Sequence, residues 1–222
     1  GFTLRGIAYS LAYTYQHARD QSSFSGGSAA YGFTAPTTSG NPNDVGWGTS
    51  DLQRMHQFLG TFTYPVTPSF EITTIGRLNS GTPYTPIVNQ DINGDGSRND
   101  RAFVFNPSQL ATYDSAYAAP MKALLNSSSS RIRDCLQSQL GQIAARNSCT
   151  GPWAPALDLQ FNYRPAYFGL DRRLTLSILA VNSLTGVDEL VHGPNHLAGW
   201  GQSFPPDNVL LYVKGYDPTN SR

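Results

Sequence analysis

One segment of the sequence carries oxygen ligands at the spacing of a calcium-binding loop. The run Asp91-Ile-Asn-Gly-Asp-Gly96 fits the pattern D-x-[DN]-x-[DN]-G. In such a loop the first, third and fifth side chains converge on one cation, and the sixth residue, glycine, allows a sharp turn. Position 12 is Ala102, so the bidentate glutamate of an EF-hand is absent. The alternative is a polar loop held by Asx turns without a metal. The candidate calcium ligands are Asp91, Asn93, Asp95, Ser97, Asn99 and Asp100.

The sequence has two cysteines, Cys135 and Cys149, and both fall in the longest segment without strand character. An even pair in an exported protein predicts a disulfide, and two unpaired thiols are the alternative. The same segment shows helical spacing from near Ser129. An unbroken helix would hold the cysteines apart, since each residue adds about 1.5 Å. We therefore expect the chain to bend back, at Gly141. The apolar residues that set the helical spacing are Ile132, Leu136, Leu140 and Ile143.

The residues that could support catalysis form no known catalytic pattern. The four histidines lie in or beside loops, and the pair His192 and His196 encloses Pro194, which argues against a helical metal face. No G-x-S-x-G or phosphate-binding loop occurs, and the chain has only two glutamates. The sequence predicts a protein that is not an enzyme.

The composition restricts the class of protein further. The 222 residues include 15 basic and 15 acidic side chains, so the formal net charge is zero. A surface that binds nucleic acid needs a basic excess, and none is present. Charged residues make up 14% of the chain and aromatic residues 12%. The longest apolar run is Val209–Val213, far short of the roughly 20 residues of a membrane-spanning helix.

Alternating polar and apolar residues predict antiparallel strands joined as an up-and-down meander. Short turns at 65–69 and 165–172 alternate with long connections at about 17–50, 88–154 and 184–207. A transmembrane β-barrel shows this asymmetry systematically, and a soluble β-sandwich is the alternative. Aromatic residues flank both short turns, as in the interfacial girdle of a barrel. Leu59 breaks the alternation of its strand. The six predicted strands are Ile7–Tyr15, Gln53–Tyr64, Phe70–Asn79, Leu157–Tyr163, Leu174–Ala180 and Val209–Tyr216.

The polar side of these strands would line the lumen of such a barrel. Two roles are open for each polar residue: contact with a segment or substrate inside the lumen, or simple solvation of the interior. The candidate lumen-facing residues are Glu71, Arg77, Asn79, Asp158, Gln160, Asn162 and Arg164.

Several motifs together resemble the C-terminal barrel of a TonB-dependent outer-membrane receptor, of the type with an N-terminal carboxypeptidase-regulatory-like domain. The resemblance covers nearly the whole chain, in the family's order. The most specific stretch is Ser80–Tyr84 followed by Asp91–Gly96. The other matching segments are Trp47–Asp51 with Arg54 and His56, Asn99–Arg101, His192-Gly193, Gly199–Gln202 and Leu210–Asp217.

The resemblance implies an all-β fragment of a transmembrane barrel, with long extracellular loops and a short helix in the longest loop. Such barrels have about 22 strands, so residues 1–222 would form a partial barrel domain of about six strands. The plug, the earlier strands and the final strand would be absent.

The implied function is active substrate uptake across the bacterial outer membrane. The implied partners are outer-membrane lipid, the protein's own plug and remaining barrel strands, and a TonB-type energy transducer acting through the plug. No cofactor is implied except the candidate Ca²⁺ of the 91–100 loop. The alternative function is a soluble or cell-surface β-domain that binds carbohydrate or mediates adhesion.

Overall fold

The computed structural model describes residues 2–4, 6–21, 47–94, 98–109, 115–202 and 207–215. The fold is mostly β, with antiparallel sheets and three helices. The contacts divide the chain into two compact units. Unit 1 comprises Gly1–His17, Arg54–Gly81 and Pro152–Phe204, and unit 2 comprises Ala18–Gln53, Thr82–Gly151 and Pro205–Arg222. No helix in the described ranges is both long and apolar enough to span a membrane.

The strands are β1 (Phe2–Leu4), β2 (Ile7–Tyr15), β3 (Arg19–Asp20), β4 (Gly48–Thr49), β5 (His56–Thr67), β6 (Phe70–Asn79), β7 (Pro83–Tyr84), β8 (Ile87–Val88), β9 (Phe103–Val104), β10 (Gln142–Ile143), β11 (Cys149–Thr150), β12 (Ala154–Tyr163), β13 (Leu176–Ala180) and β14 (Val209–Leu211). The α-helices are α1 (Ser115–Ser127), α2 (Ser130–Gln137) and α3 (Ser183–His192). Short 3₁₀ helices occupy Pro107–Gln109 and Tyr167–Arg172.

Unit 1 contains one six-stranded sheet in the order β1-β2-β5-β6-β12-β13. Every neighbouring pair is antiparallel. The predicted meander is confirmed for β2, β5, β6, β12 and β13. Ile7–Tyr15 and Phe70–Asn79 have the predicted bounds.

The pairing register gives this sheet two chemically different faces, because successive side chains of a strand point to opposite sides. One cross-strand row runs through Leu11, Gly60, Gly76 and Leu157, and the adjacent row through Ala12, Leu59, Arg77 and Ala156.

The first row belongs to what we term the apolar face: Ile7, Tyr9, Leu11, Tyr13, Tyr15, Phe58, Gly60, Phe62, Tyr64, Phe70, Ile72, Thr74, Gly76, Leu78, Leu157, Leu159, Phe161, Tyr163, Leu176, Ile178 and Ala180. The second belongs to the polar face: Ala8, Ser10, Ala12, Thr14, Gln57, Leu59, Thr61, Thr63, Glu71, Thr73, Ile75, Arg77, Asn79, Ala156, Asp158, Gln160, Asn162, Ser177 and Leu179.

The predicted strand Val209–Tyr216 is wrong as a member of the meander. Of the described residues 209–215, Val209–Leu211 form a strand, which pairs in parallel with Ile87–Val88 in unit 2. Leu210 packs against the hydrophobic core of unit 2, which accounts for this placement. Tyr216 lies outside the described residues. The sixth strand of the large sheet is Phe2–Leu4.

Two other boundaries differ from the prediction. The strand predicted from Gln53 begins at His56, because Gln53 is buried and its side chain accepts a hydrogen bond from the backbone N–H of Ala18 in unit 2. The strand predicted from Leu174 begins at Leu176. There the backbone N–H groups of Arg173 and Leu174 both donate to the carbonyl of Leu170, which extends the preceding turn.

The described ranges contain three α-helices where the sequence predicted one. The predicted helix near Ser129 is confirmed as α2, whose N-cap is Ser129. The same connection also holds α1, and α3 lies in the connection predicted as a loop over 184–207. The all-β prediction therefore needs correction to mostly β.

Unit 2 has its own small hydrophobic core. Val104, Met121, Leu125, Leu136 and Ala144 are buried together. Ile132 and Leu140, two of the helical-spacing residues, pack against this cluster, whereas Ile143 is exposed in β10. The predicted periodicity is therefore right for α2 and ends before residue 143.

A disulfide joins α2 to β11. Cys135 and Cys149 are bonded, with their Cα atoms 5.5 Å apart. The predicted bend lies at Gly141, whose φ of +78° is accessible to glycine at little cost. The predicted disulfide is thus part of the structure, and the backbone turn that it requires is present.

We expect the double substitution Cys135→Ala with Cys149→Ala to loosen unit 2. Without the disulfide, which closes a loop of about 15 residues, the unfolded chain gains conformational entropy that favours unfolding by roughly 3 kcal/mol. Amide hydrogen exchange within α2 should accelerate by about 100-fold. The control is Ser148→Ala, which alters an exposed side chain beside Cys149 and should leave exchange unchanged. Equal exchange in the double variant and the parent would contradict the prediction.

Candidate functional site: the polar face of the sheet

The polar face carries a continuous hydrogen-bonded network at the end of the sheet next to the turns at 65–69 and 165–172. Register places Glu71, Asn162 and Ser177 in one cross-strand row. Asn162 Nδ2 donates to Glu71 Oε1 at 3.0 Å, and Asn162 Oδ1 accepts from Ser177 Oγ at 2.7 Å and Gln160 Nε2 at 2.9 Å. Arg164 Nη2 also contacts Glu71 Oε1, at 3.3 Å. Asn162 is only 8% exposed, so these bonds replace water that it cannot reach.

An ion pair lies one row beyond this network. Arg77 Nη2 donates to Asp158 Oδ2. The other carboxylate oxygen of Asp158 accepts the backbone N–H of Asn182 at 2.8 Å, just before α3. The Asp158 side chain is 10% exposed and that of Arg77 is 46% exposed. The carboxylate is therefore held on both sides, whereas the guanidinium remains open to solvent.

Pairs of hydroxyl groups lie between β2 and β5 and between β5 and β6 on the same face. Ser10 Oγ lies 2.6 Å from Thr61 Oγ1, and Thr63 Oγ1 lies 2.9 Å from Thr73 Oγ1. Such cross-strand hydroxyl pairs stabilise sheets modestly. They also place polar groups on β2, β5 and β6, so that water can hydrate this part of the face.

The predicted lumen-facing residues are brought together by the fold. Glu71, Gln160, Asn162 and Arg164 form one cluster, and Arg77 and Asp158 form the neighbouring ion pair. Asn79 shares the face at the far end of β6, where its backbone pairs with Gln57 and Ala154.

A hollow of about 500 Å³ lies around the row Ala12, Leu59, Arg77 and Ala156. Leu184 of α3 and residues of the apolar face on either side of that row complete its lining: Leu11, Tyr13, Phe58, Gly60, Gly76, Leu78 and Leu157. Leu59, which broke the alternation in the sequence, is one of the apolar residues that line this hollow. Ligand-binding cavities commonly fall between about 300 and 1,000 Å³.

A second polar centre in unit 1 was missed by the sequence analysis. Asp188 in α3 is fully buried. Its Oδ1 accepts the N–H of Ala198 at 3.0 Å and lies 2.7 Å from His192 Nδ1, while its Oδ2 accepts the N–H groups of Gly199 and Trp200. The spacing Asp188-x-x-x-His192, one helical turn, was the available signal. This carboxylate fixes the 198–200 segment against α3.

Burial by itself raises the pKa of Asp188, because it disfavours the charged form. Hydrogen bonds from the backbone of Ala198 and Trp200, from the His192 ring and from the backbone of Gly199 outweigh this effect. The pKa of Asp188 therefore lies below its usual value. The side chain is an ionised structural anchor at neutral pH.

The candidate calcium loop is described only in part, since Asp95 and Ser97 lie outside the described residues. Asp91 Oδ1 accepts the N–H of Gly94 at 2.7 Å, an Asx-type turn. Asp100 Oδ2 accepts the N–H groups of Ile92 at 2.6 Å and Asn93 at 3.2 Å. Within the described ranges, no three His, Cys, Asp or Glu side chains converge as metal ligands. Calcium binding by this loop stays a prediction.

The motif Trp47–Asp51 lies in a compact hydrogen-bonded region of unit 2. Asn147 Nδ2 donates to the carbonyl of Thr49 at 2.7 Å and also contacts Asp51. A Cβ at Gly48 would lie 2.7 Å from Arg146 Nε, so a larger residue at this position would require the Arg146 side chain to shift. The residue types of the motif thus have a packing role.

We expect Asn162→Ala to destabilise unit 1 by about 1–3 kcal/mol, because it leaves Glu71, Gln160 and Ser177 without their shared partner. Urea unfolding measures this loss. The matched variant Ser177→Ala removes a single donor and should cost no more than about 1 kcal/mol. Equal losses in the two variants would contradict a network centred on Asn162.

The lowered pKa of Asp188 predicts a local acid transition. A carboxylate with a depressed folded-state pKa stabilises the fold above its unfolded pKa of about 3.9, and this contribution is lost as the pH falls through the folded-state pKa. We therefore expect Trp200 fluorescence, in a Trp47→Phe, Trp153→Phe background, to change below about pH 4.

The variant Asp188→Asn should show at neutral pH the Trp200 fluorescence that the parent shows only in acid. The reason is that an amide nitrogen would face the N–H groups of Gly199 and Trp200. The control Glu189→Gln changes an exposed neighbouring carboxylate and should keep the acid transition. An unchanged acid transition in Asp188→Asn would contradict the assignment.

Comparison of the chain with models of protein families, with curated proteins and with solved structures finds no match. Function is therefore inferred from the two faces of the sheet, from the hollow, and from the resemblance carried by the sequence motifs.

Proposed function

We propose that the six-stranded sheet forms part of the wall of a transmembrane β-barrel in a TonB-dependent outer-membrane transporter. The observation that carries the proposal is the pairing of an exposed apolar face with a hydrogen-bonded polar face on one antiparallel sheet. In an outer-membrane barrel the first face contacts lipid and the second lines the lumen.

The exposure of the apolar face is unusual for a protein in water. Leu11 is 85% exposed and Ile178 is 70% exposed, and most large side chains around them are also accessible. A soluble β-sandwich buries such residues between its sheets, and soluble monomers rarely expose large contiguous apolar patches. Lipid acyl chains are the environment in which this surface has the lower free energy.

Strand length supports the same proposal. A transmembrane β-strand needs about 9–11 residues when tilted by roughly 45°. The strands β2, β5, β6 and β12 contain 9, 12, 10 and 10 residues. The central strands of the sheet therefore have the length that the hydrocarbon layer requires.

Aromatic side chains lie at both ends of the apolar face. At one end the His56 ring stacks on Trp153 at 5.9 Å and lies 6.1 Å from Tyr13. At the other end the exposed phenol rings of Tyr64 and Tyr163 lie beside the stacked pair Phe70 and Phe161. Rings with an apolar body and a polar edge favour the two membrane–water interfaces, where barrels carry their aromatic girdles.

The specific assignment to TonB-dependent uptake depends on the motif resemblance. In this proposal a ligand enters from the outer loops, and a TonB-type partner, acting through a plug, opens the path. The chain supplies wall and loops in the bacterial outer membrane and performs no chemical step. Its partners are outer-membrane lipid, the plug and the remaining barrel strands.

A pair of arginine substitutions at adjacent positions tests the membrane role. Leu11 lies on the apolar face and Ala12 on the polar face, and both are exposed. For the full chain in phospholipid vesicles, Leu11→Arg should lower the unfolding free energy by about 2–4 kcal/mol, because the charge enters hydrocarbon. Ala12→Arg should change it by less than about 0.5 kcal/mol, as exposed substitutions usually do. Urea titration measures both.

A soluble β-domain that binds carbohydrate or mediates adhesion predicts a different result. An exposed leucine in water can be replaced by arginine at little cost, so both variants would then behave alike. Equal small effects, together with failure of the chain to bind vesicles, would reject the barrel proposal in favour of that class.

A further inference from the structure

The hollow beside Arg77 combines apolar walls with a guanidinium group that, within the described ranges, has free hydrogen-bond donors. Its walls include Leu59 of β5 and Leu184 of α3, and the small side chains of Ala12 and Ala156 leave the space between them open. Arg77 lies in the same cross-strand row as Ala12, Leu59 and Ala156. The hydroxyl and amide pairs elsewhere on the polar face are sufficient to keep that face hydrated. An apolar recess among them is therefore a feature that solvation does not explain.

The Arg77–Asp158 pair is asymmetric in a way that favours a second acceptor. Each oxygen of Asp158 already accepts one hydrogen bond, from Arg77 and from the backbone N–H of Asn182, and its side chain is 10% exposed. Arg77 makes this one side-chain bond among the described residues, and its side chain is 46% exposed. A guanidinium has five N–H donors in a rigid fork. Asp158 thus orients Arg77 while most of its donors stay available at the hollow.

We infer that this hollow binds a small organic anion with an apolar body, its carboxylate taken by Arg77 and its apolar part contacting Leu59 and Leu184. Planar bidentate recognition of a carboxylate is the interaction that arginine makes best. The apolar walls add the contact area that fixes orientation. An unpaired Asp158 carboxylate would repel such an anion. Its ion pair with Arg77 and the hydrogen bond that it accepts from the N–H of Asn182 reduce this repulsion.

This inference rests on the proposed function in one respect: the polar face of a barrel wall is the surface that a transported substrate passes. It then names a substrate class, amphipathic carboxylates. Binding itself depends only on the geometry of unit 1, so the site and the membrane role can fail separately.

The test uses the full chain with ¹³C-labelled leucine methyl groups and two probes of the same shape, 4-phenylbutyrate and its uncharged amide 4-phenylbutanamide. We expect 4-phenylbutyrate to shift the methyl signals of Leu59 and Leu184 and to bind at least tenfold more tightly than the amide. Arg77→Lys keeps the charge and the pairing with Asp158 but loses the fork, and should reduce this preference several-fold. Arg77→Gln should abolish the preference.

Two leucines of α3 provide a matched control for the apolar wall. Leu184→Asn should weaken both probes, whereas Leu190→Asn, at a position that is 87% exposed on the same helix, should leave both affinities unchanged. If Arg77→Gln does not fold, Arg77→Lys and the leucine pair still decide the question.

Equal affinity for the two probes, or methyl shifts confined to Leu159 and Leu176, apolar-face leucines that do not line the hollow, would overturn the site. Vesicle binding by a chain that shows no carboxylate preference rejects the site and leaves the barrel proposal intact. Carboxylate preference in a chain that does not bind vesicles supports the site and rejects the transport role.

Discussion

The alternation of side chains along paired strands is the constraint on which the rest of unit 1 depends. Because the register aligns Leu11, Gly60, Gly76 and Leu157 in one row, the next row must hold Ala12, Leu59, Arg77 and Ala156 on the opposite side. A slip of one residue between any two strands would move polar side chains to the apolar face. The separation of the faces is therefore a property of the whole sheet.

Charged side chains on the polar face of the sheet form ion pairs with one another. Arg77 and Asp158 neutralise each other, as do Glu71 and Arg164. The apolar face has aromatic rings at both ends and no charged side chain in the sheet rows described. The negative charge of Asp188 in α3 is likewise compensated, since its buried carboxylate accepts four hydrogen bonds. The hollow beside Arg77 departs from this balance, and there the proposed ligand binds.

Sequence periodicity predicted the long strands well because each has one apolar and one polar side, as in Phe70–Asn79. It predicted the shared polar face for the same reason. It did not predict α3 or the Asp188 centre, whose four hydrogen bonds include three to backbone N–H groups that no residue type identifies. The failure at Val209–Tyr216 has a different cause. An apolar run predicts burial, but the choice between the large sheet and the core of unit 2 depends on tertiary packing of Leu210.

The central claim is that the two faces of the sheet meet different solvents. Ile178 and Leu179 are adjacent, exposed and on opposite faces of β13, and the native cysteines are paired. A nitroxide label at each position, introduced through Ile178→Cys or Leu179→Cys in the vesicle-bound chain, compares access to oxygen and to a water-soluble nickel complex. The account predicts that oxygen relaxes the label at 178 more strongly and nickel the label at 179. Equal access to nickel at both positions would contradict it.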